Sequence, residues 1–250
     1  MTWIEALILL GVGLFTGVIN TLAGGGSLIT LPLFIFMGLP SSEANATNRI
    51  GVFLQSLVAV GGFKSKGVSV FPYAFYVSIT AVAGCIIGAY FAIDIKGPLF
   101  NKILAVVMVI VIILTVLKPY LARQGTLEVF SPKRKWLTIA LFFFVGLYGG
   151  FIQAGVGFLI IATLTGVHGF NMAKTNSIKS FVIVCYTLVA LGIFWWEDQI
   201  RWDYGLTLAA GNSAGGWVAS RWSVGKDDKW IRLILIVTVM GLAVKLWFFG

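Results

Sequence analysis

Two short stretches of this sequence concentrate residue types that can handle a solute. In 43–51 (EANATNRIG), Asn45 and Asn48 stand three apart, on one face of any helix, with Arg49 beside them. In 173–180 (AKTNSIKS), Lys174, Asn176 and Lys179 form a less regular counterpart. Polar side chains in or beside apolar segments are costly to keep there, which marks them as functional. Upstream of each stretch lies a glycine-rich turn: Gly24, Gly25, Gly26 and Ser27 in the first case, Gly155 and Gly157 in the second. A helix starting at such a turn exposes unpaired backbone N–H groups and carries about half a positive charge. Two such starts brought together inside a membrane make an anion site without a fully charged side chain. Ser27 is placed to cap the first of these helices or to touch a ligand. Asn20 and Gln153 are expected one helical turn before each break, where their amides join the same cavity. The competing expectation is that the glycines serve only close helix packing, and that Arg49 and Lys179 snorkel to the membrane interface.

The surrounding elements follow from composition. The chain has 250 residues, 59% hydrophobic and 11% charged. Soluble domains carry about 25% charged residues, so this chain cannot cover a water-facing surface. An all-α polytopic membrane protein is expected, with about 20 residues per span. The net charge of +9 does not call for nucleic acid, because the basic residues fall at the ends of apolar segments. Cys85 and Cys185 lie inside apolar runs and read as buried small hydrophobes. The N-terminal MTWIEALILL lacks a basic leader region and is expected to be a retained first helix.

Most charge-free runs fit one crossing, but 6–42 and 136–173 span 37 and 38 residues. A continuous helix of that length would reach about 55 Å, against a hydrocarbon core of about 30 Å. Each must break, and the breaks fall at the glycine turns 24–27 and 155–157. The shorter helix after each should end near Gly38 or Gly169. The chain also repeats itself: Gly13 and Gly17 match Gly146 and Gly150, Asn20 matches Gln153, and Gly84 and Gly88 match Gly211 and Gly215. The 46–48 run corresponds loosely to 174–176. We therefore expect a first membrane repeat over 1–118, a cytoplasmic linker over 119–135 and a second membrane repeat over 136–250. If each long run forms a hairpin that returns to its starting side, each repeat is such a hairpin plus three transmembrane helices, and the repeats are inverted. That topology places 13 Lys and Arg on one side and 5 on the other, whereas single crossings give nine against nine. The positive-inside bias favours the hairpins, with both termini outside and the linker cytoplasmic.

The run GGGSLITLPLFIFMGLPSSEANATNRIG, followed by a weaker second copy, resembles the TauE/SafE family of sulfite and organosulfonate exporters, also called toluene-sulfonate uptake permeases. The pattern is a Gly-rich turn, a Pro about six residues on, Gly-Leu-Pro, then Ala-x-Ala-Thr-Asn. The second copy departs from it: Thr163 stands in place of Pro32, and GVHGFN in place of Gly-Leu-Pro. The resemblance implies an eight-helix-class carrier in the cell membrane for a small sulfur-containing anion such as sulfite, thiosulfate or an organosulfonate.

A secondary carrier working by alternating access is thus the leading expectation, and an anion channel the first alternative. The chain has no P-loop of the GxxxxGK[ST] type and so no ATP engine of its own. Its membrane segments lack central acids; Glu43 is the one acid worth testing as a proton site, and an interfacial surface charge is its simpler role. An intramembrane hydrolase with Ser27 as nucleophile and His168 as base is a remote third. No enzyme activity, cofactor or metal is expected. The partners are the anion and the lipid bilayer, and assembly into a homo-oligomer is left open.

Overall fold

The computed structural model describes residues 1–68, 70–95, 97–121, 128, 131–222, 237, 239–245 and 247, with side chains left aside at 112 and 114–121. Among the described residues there are helices and no strands: α1 (Trp3–Leu22), α2 (Ser27–Phe36), α3 (Ser41–Lys64), α4 (Tyr73–Ile93), α5 (Gly97–Leu121), α6 (Pro132–Phe151), α7 (Val156–His168), α8 (Met172–Trp196), α9 (Trp202–Trp222) and helical residues within 237–247. Helices α1, α4 and α8 are long and apolar enough to cross a bilayer. Large apolar side chains also face outward along them, with Leu7 70% exposed, Phe91 65% and Leu188 57%. A water-soluble surface would not carry such a belt; hydrocarbon lipid accommodates it.

The helix ends obey local chemistry. Thr2 and Glu5 form a reciprocal capping box that starts α1. Ser131 and Asn171 accept from the backbone N–H of Arg134 and Lys174 and so cap α6 and α8. The expected breaks are present: α1 stops at Leu22 and α6 at Phe151, and short helices resume at Ser27 and Val156. The short helices end where the glycines allow it, Gly38 having φ 90° and Gly169 φ 69°.

Helix crossings fix the arrangement. Gly13 and Gly17 of α1 meet Gly211 and Gly215 of α9, while Gly84 and Gly88 of α4 meet Gly146 and Gly150 of α6. A methyl on Gly17 would lie 2.3 Å from the Asn212 carbonyl oxygen, and one on Gly146 1.9 Å from that of Ala81. Such backbone-to-backbone approach needs residues without a side chain. The contacts also give direction. Leu10 and Leu14 pair with Gly211 and Gly215, and Ile50 and Gln55 of α3 pair with Gly205 and Gly216, so α1, α3 and α9 run parallel. Helices α4 and α6 run parallel by the same reading, since Phe143 and Leu147 meet Gly84 and Gly88.

Both broken segments fold back. Phe34, near the end of α2, packs edge-on against Tyr204, whose hydroxyl reaches Glu5 at the start of α1. His168, ending α7, bonds Thr138 in the second turn of α6. Each short helix therefore returns to the level where its long partner began. The linker expected over 119–135 is covered by the described residues only at 119–121, 128 and 131–135.

Candidate functional site

The two breaks meet. A methyl on Gly24 would lie 2.5 Å from the Cα of Gly157, and one on Gly157 2.3 Å from the Cα of Gly24. The starts of α2 and α7, from opposite halves of the chain, thus share one point deep in the fold. Gly24 and Gly155 hold positive φ, 87° and 75°, as does Gln153 at 63°. The N–H groups of Gly25, Gly26, Ser27, Gly155 and Gly157 donate to no acceptor among the described residues, as the first turn of a helix dictates. Gly26, not Ser27, occupies the N-cap position of α2, and no side chain caps it. The capping role expected for Ser27 is absent because its residue is already helical; the residue is 4% exposed and its hydroxyl has no partner among the described residues.

The C-terminal ends of the long helices, just before the breaks, are held by buried cations. Arg49 of α3 donates from its two terminal nitrogens to the carbonyls of Gly149 (2.9 Å) and Gly150 (2.6 Å), with Phe151 at 3.5 Å. Its guanidinium also lies 4.7 Å from the centre of the Phe194 ring. Lys179 of α8 donates to the carbonyls of Asn20 (2.9 Å) and Thr21 (2.7 Å) and to Asn176 Oδ1 (2.9 Å). Each half's cation therefore caps the broken helix of the other half, placing positive charge where the helix dipole is negative. Arg49 and Lys179 are 0% and 1% exposed. Snorkelling is ruled out for both, because their charged ends are consumed by carbonyls that the breaks leave unpaired.

Two asparagines complete the pattern. Asn45 Nδ2 donates to the Phe151 carbonyl at 2.8 Å and Asn176 Nδ2 to that of Leu22 at 3.3 Å. Asn45, not Asn48, therefore makes the contact that matches the one made by Asn176. Asn48 is engaged elsewhere, its Oδ1 accepting from Thr30 on α2 at 2.5 Å, while its Nδ2 is buried with no partner among the described residues. Arg49 Nε, Asn45 Oδ1, Gln153 Oε1 and the Tyr186 hydroxyl are likewise buried and unpartnered. Buried polar groups left unmatched by protein mark a place for another molecule.

Asn20 sits in the last turn of α1 as expected, but Gln153 lies within the second break. Leu22 is five residues past Gly17, whereas Phe151 is one residue past Gly150. The second long helix therefore stops four residues, about one turn, sooner after its glycine crossing. The amides nonetheless play matching parts, Asn20 Nδ2 donating to Gln55 Oε1 (2.5 Å) and Gln153 Nε2 to Thr187 Oγ1 (3.0 Å). Gln55, Thr187, Thr30 and Tyr186 were missed in the sequence; a lone amide within the charge-free run 50–63 was the signal for Gln55.

Lys174 is not brought to the breaks. It pairs with Glu128 at 2.7 Å in the first turn of α8 and lies over the Phe170 ring. Nor are Ser27 and His168 assembled as nucleophile and base. His168 is buried between Tyr73 and Thr138, both 2.8 Å from its Nε2. It stands eleven residues along α7 from Gly157, about 17 Å. Among the described residues no cluster of metal-ligating side chains occurs, and both cysteines are free.

A family model described as "Sulfite exporter TauE/SafE" matches residues 9–246. The "Probable membrane transporter protein ORF9" of Sinorhizobium sp is 26% identical over 231 residues, 92% of this chain and 87% of the relative. A "Probable membrane transporter protein" of Haemophilus influenzae is 24% identical, covering 96% of this chain and 93% of its own length. "Probable membrane transporter protein YfcA" of Escherichia coli K12 is 25% identical, with 96% and 88% covered. No solved structure matches the chain.

Proposed function

The chain belongs to the TauE/SafE family, and from that premise we propose that it is a secondary transporter carrying a small sulfur-containing anion, such as sulfite, thiosulfate or an organosulfonate, by alternating access. One observation carries this reading: the two helix starts meet at Gly24 and Gly157, beside unpaired donors and buried cations. The N–H groups of Gly25, Gly26, Ser27, Gly155 and Gly157, Asn48 Nδ2 and Arg49 Nε are all donors without acceptors among the described residues. An oxyanion supplies acceptors, and a helix N-terminus is where it binds without a full countercharge.

The helix directions support two inverted repeats divided at 119–135. Helices α1 and α6 are matching members of the two halves, and each pairs in parallel with a glycine-bearing helix of the other half. Helices α3 and α8 run oppositely, Arg49 lying against Phe194 while Gln55 and Lys179 gather at the end of α1. Broken helices at matching positions of two such halves locate a carrier's binding site. Taking the buried Arg49 and Lys179 out of the charge count leaves 12 basic residues against 4. The cytoplasmic linker and external termini stand on that bias, although Lys96, Arg123, Lys226, Lys229 and Arg232 in the count lie outside the described residues.

Counterflow in proteoliposomes with sulfite, thiosulfate, sulfonates and sulfate tests the proposal. Saturable exchange of at least one of them supports a carrier. Ohmic current without counterflow assigns a channel instead, and no flux of any of them ends the reading.

A further inference from the structure

The two breaks differ in how completely their side chains are paired. At the first, Asn176 uses both ends of its amide: Nδ2 donates to the Leu22 carbonyl and Oδ1 accepts from Lys179 at 2.9 Å. Gln55 is equally committed, its Oε1 accepting from Asn20 and its Nε2 donating to Thr21 Oγ1 at 2.7 Å. At the second, Asn45 Nδ2 donates to the Phe151 carbonyl, and since only a donor can face a carbonyl, the amide cannot be turned over. Its Oδ1 is left with no donor among the described residues. The cause is a change of residue and spacing. Lys179 stands three residues after Asn176 and turns one ammonium hydrogen back to it. Arg49 stands four after Asn45 and gives both terminal nitrogens to the carbonyls of α6. Arg49 Nε is itself unmatched, and Arg49 and Asn45 meet at the Phe151 carbonyl. Gln153 Oε1 and the Tyr186 hydroxyl, the latter 3.3 Å from where a methyl on Gly149 would lie, are further atoms at this break without partners among the described residues. All four residues are at most 1% exposed. A buried oxygen left unmatched carries its full desolvation cost.

We infer that the cargo donates a hydrogen bond as well as accepting them: the second break recognises an oxyanion that also carries an O–H or N–H group, with an oxygen on Arg49 Nε and the hydrogen on Asn45 Oδ1. This rests on the transport reading above and deepens it. An anion with no donor would serve Arg49 but leave the asparagine oxygen buried and bare. A site built around a polar group of the ligand rejects an analogue that lacks it. Asn45 is therefore a specificity residue. Hydroxy- and amino-substituted sulfonates and protonated oxyanions such as hydrogen sulfite are favoured over sulfate and simple alkanesulfonates.

2-Hydroxyethanesulfonate and propanesulfonate test it, having the same charge and nearly the same bulk, with a hydroxyl in one where the other has a methyl. In proteoliposomes showing counterflow of any sulfur anion, the hydroxy compound should compete at roughly tenfold lower concentration, the scale of one buried hydrogen bond. Asn45→Leu, close to isosteric, should erase that ratio. A merely structural role for Asn45 would weaken both compounds alike and leave the ratio in place. Asn45→Ala, which adds no bulk, repeats the test if Asn45→Leu does not fold. Equal competition in the wild type overturns the inference and leaves these oxygens to bound water. Competition by neither compound overturns it too, as does an unchanged ratio in a folded Asn45 variant; transport itself would then still stand. Absence of counterflow by every anion would instead overturn the transport reading on which it rests.

Discussion

Gly24 and Gly157 lie back to back, so close that a methyl on either would stand 2.5 or 2.3 Å from the other's α-carbon. Residues 133 apart in the chain thereby bring two half-helix starts to one point. The contact has no room for adjustment, because backbone lies on both sides.

Gly157→Ala is therefore expected to force the breaks apart. Overpacking of this kind costs about 1–3 kcal/mol, and transport should fall to background while protein still reaches the membrane. Gly166→Ala, in the same helix with nothing within 4 Å, is the control and should leave the thermal midpoint in detergent unchanged or slightly raised. Normal flux in folded Gly157→Ala would show that the contact is not needed.

Arg49 serves two carbonyls directly and a third at 3.5 Å. Arg49→Met should leave them buried and unpaired at a loss on the order of 3 kcal/mol, read as a lower thermal midpoint. Arg49→Lys should recover part of it, since one ammonium cannot span the same carbonyls as a guanidinium fork. Equal midpoints for all three proteins would remove the cap.

Asn48 offers an amide hydrogen to the site and its oxygen to Thr30. Asn48→Ala should raise the apparent KM for the transported anion roughly threefold to tenfold, the value of one hydrogen bond. Thr30→Val, which removes the protein partner but not the amide, should change KM much less. An unaltered KM in Asn48→Ala takes the residue out of the site.

The orientation is checked by cysteine labelling in a Cys185→Ala background, Cys85 being buried. Glu128→Cys, in the linker, should resist an impermeant maleimide applied to intact cells. Arg201→Cys, 49% exposed at its side chain before α9, should react. The reverse pattern would invert the topology.

His168 belongs to the packing of α4, α6 and α7 through Tyr73 and Thr138. His168→Ala should lower stability by about 1–3 kcal/mol and leave counterflow measurable in the folded fraction. Loss of flux at unchanged stability would give this histidine a direct role after all.

Much of this was legible in the residues. Two apolar runs too long for one crossing had to break, glycine marked where, and Gly38 and Gly169 marked where the short helices stop. The glycine pairs also announced the two close crossings, because only backbone that lacks a side chain can approach backbone so nearly. These are local or periodic properties, written in spacing. The partnerships at the breaks were not legible. Nothing in the chain order says that Arg49 reaches Gly149 and Gly150, that Lys179 reaches Asn20 and Thr21, or that Asn45 rather than Asn48 answers Asn176. Those pairings span 100 to 159 residues and depend on the rotation and tilt of packed helices. The one-turn offset between the breaks is decided the same way: sequence matching follows the glycines of the crossing, while the end of each helix is set by which carbonyls the opposite half's buried donors can reach.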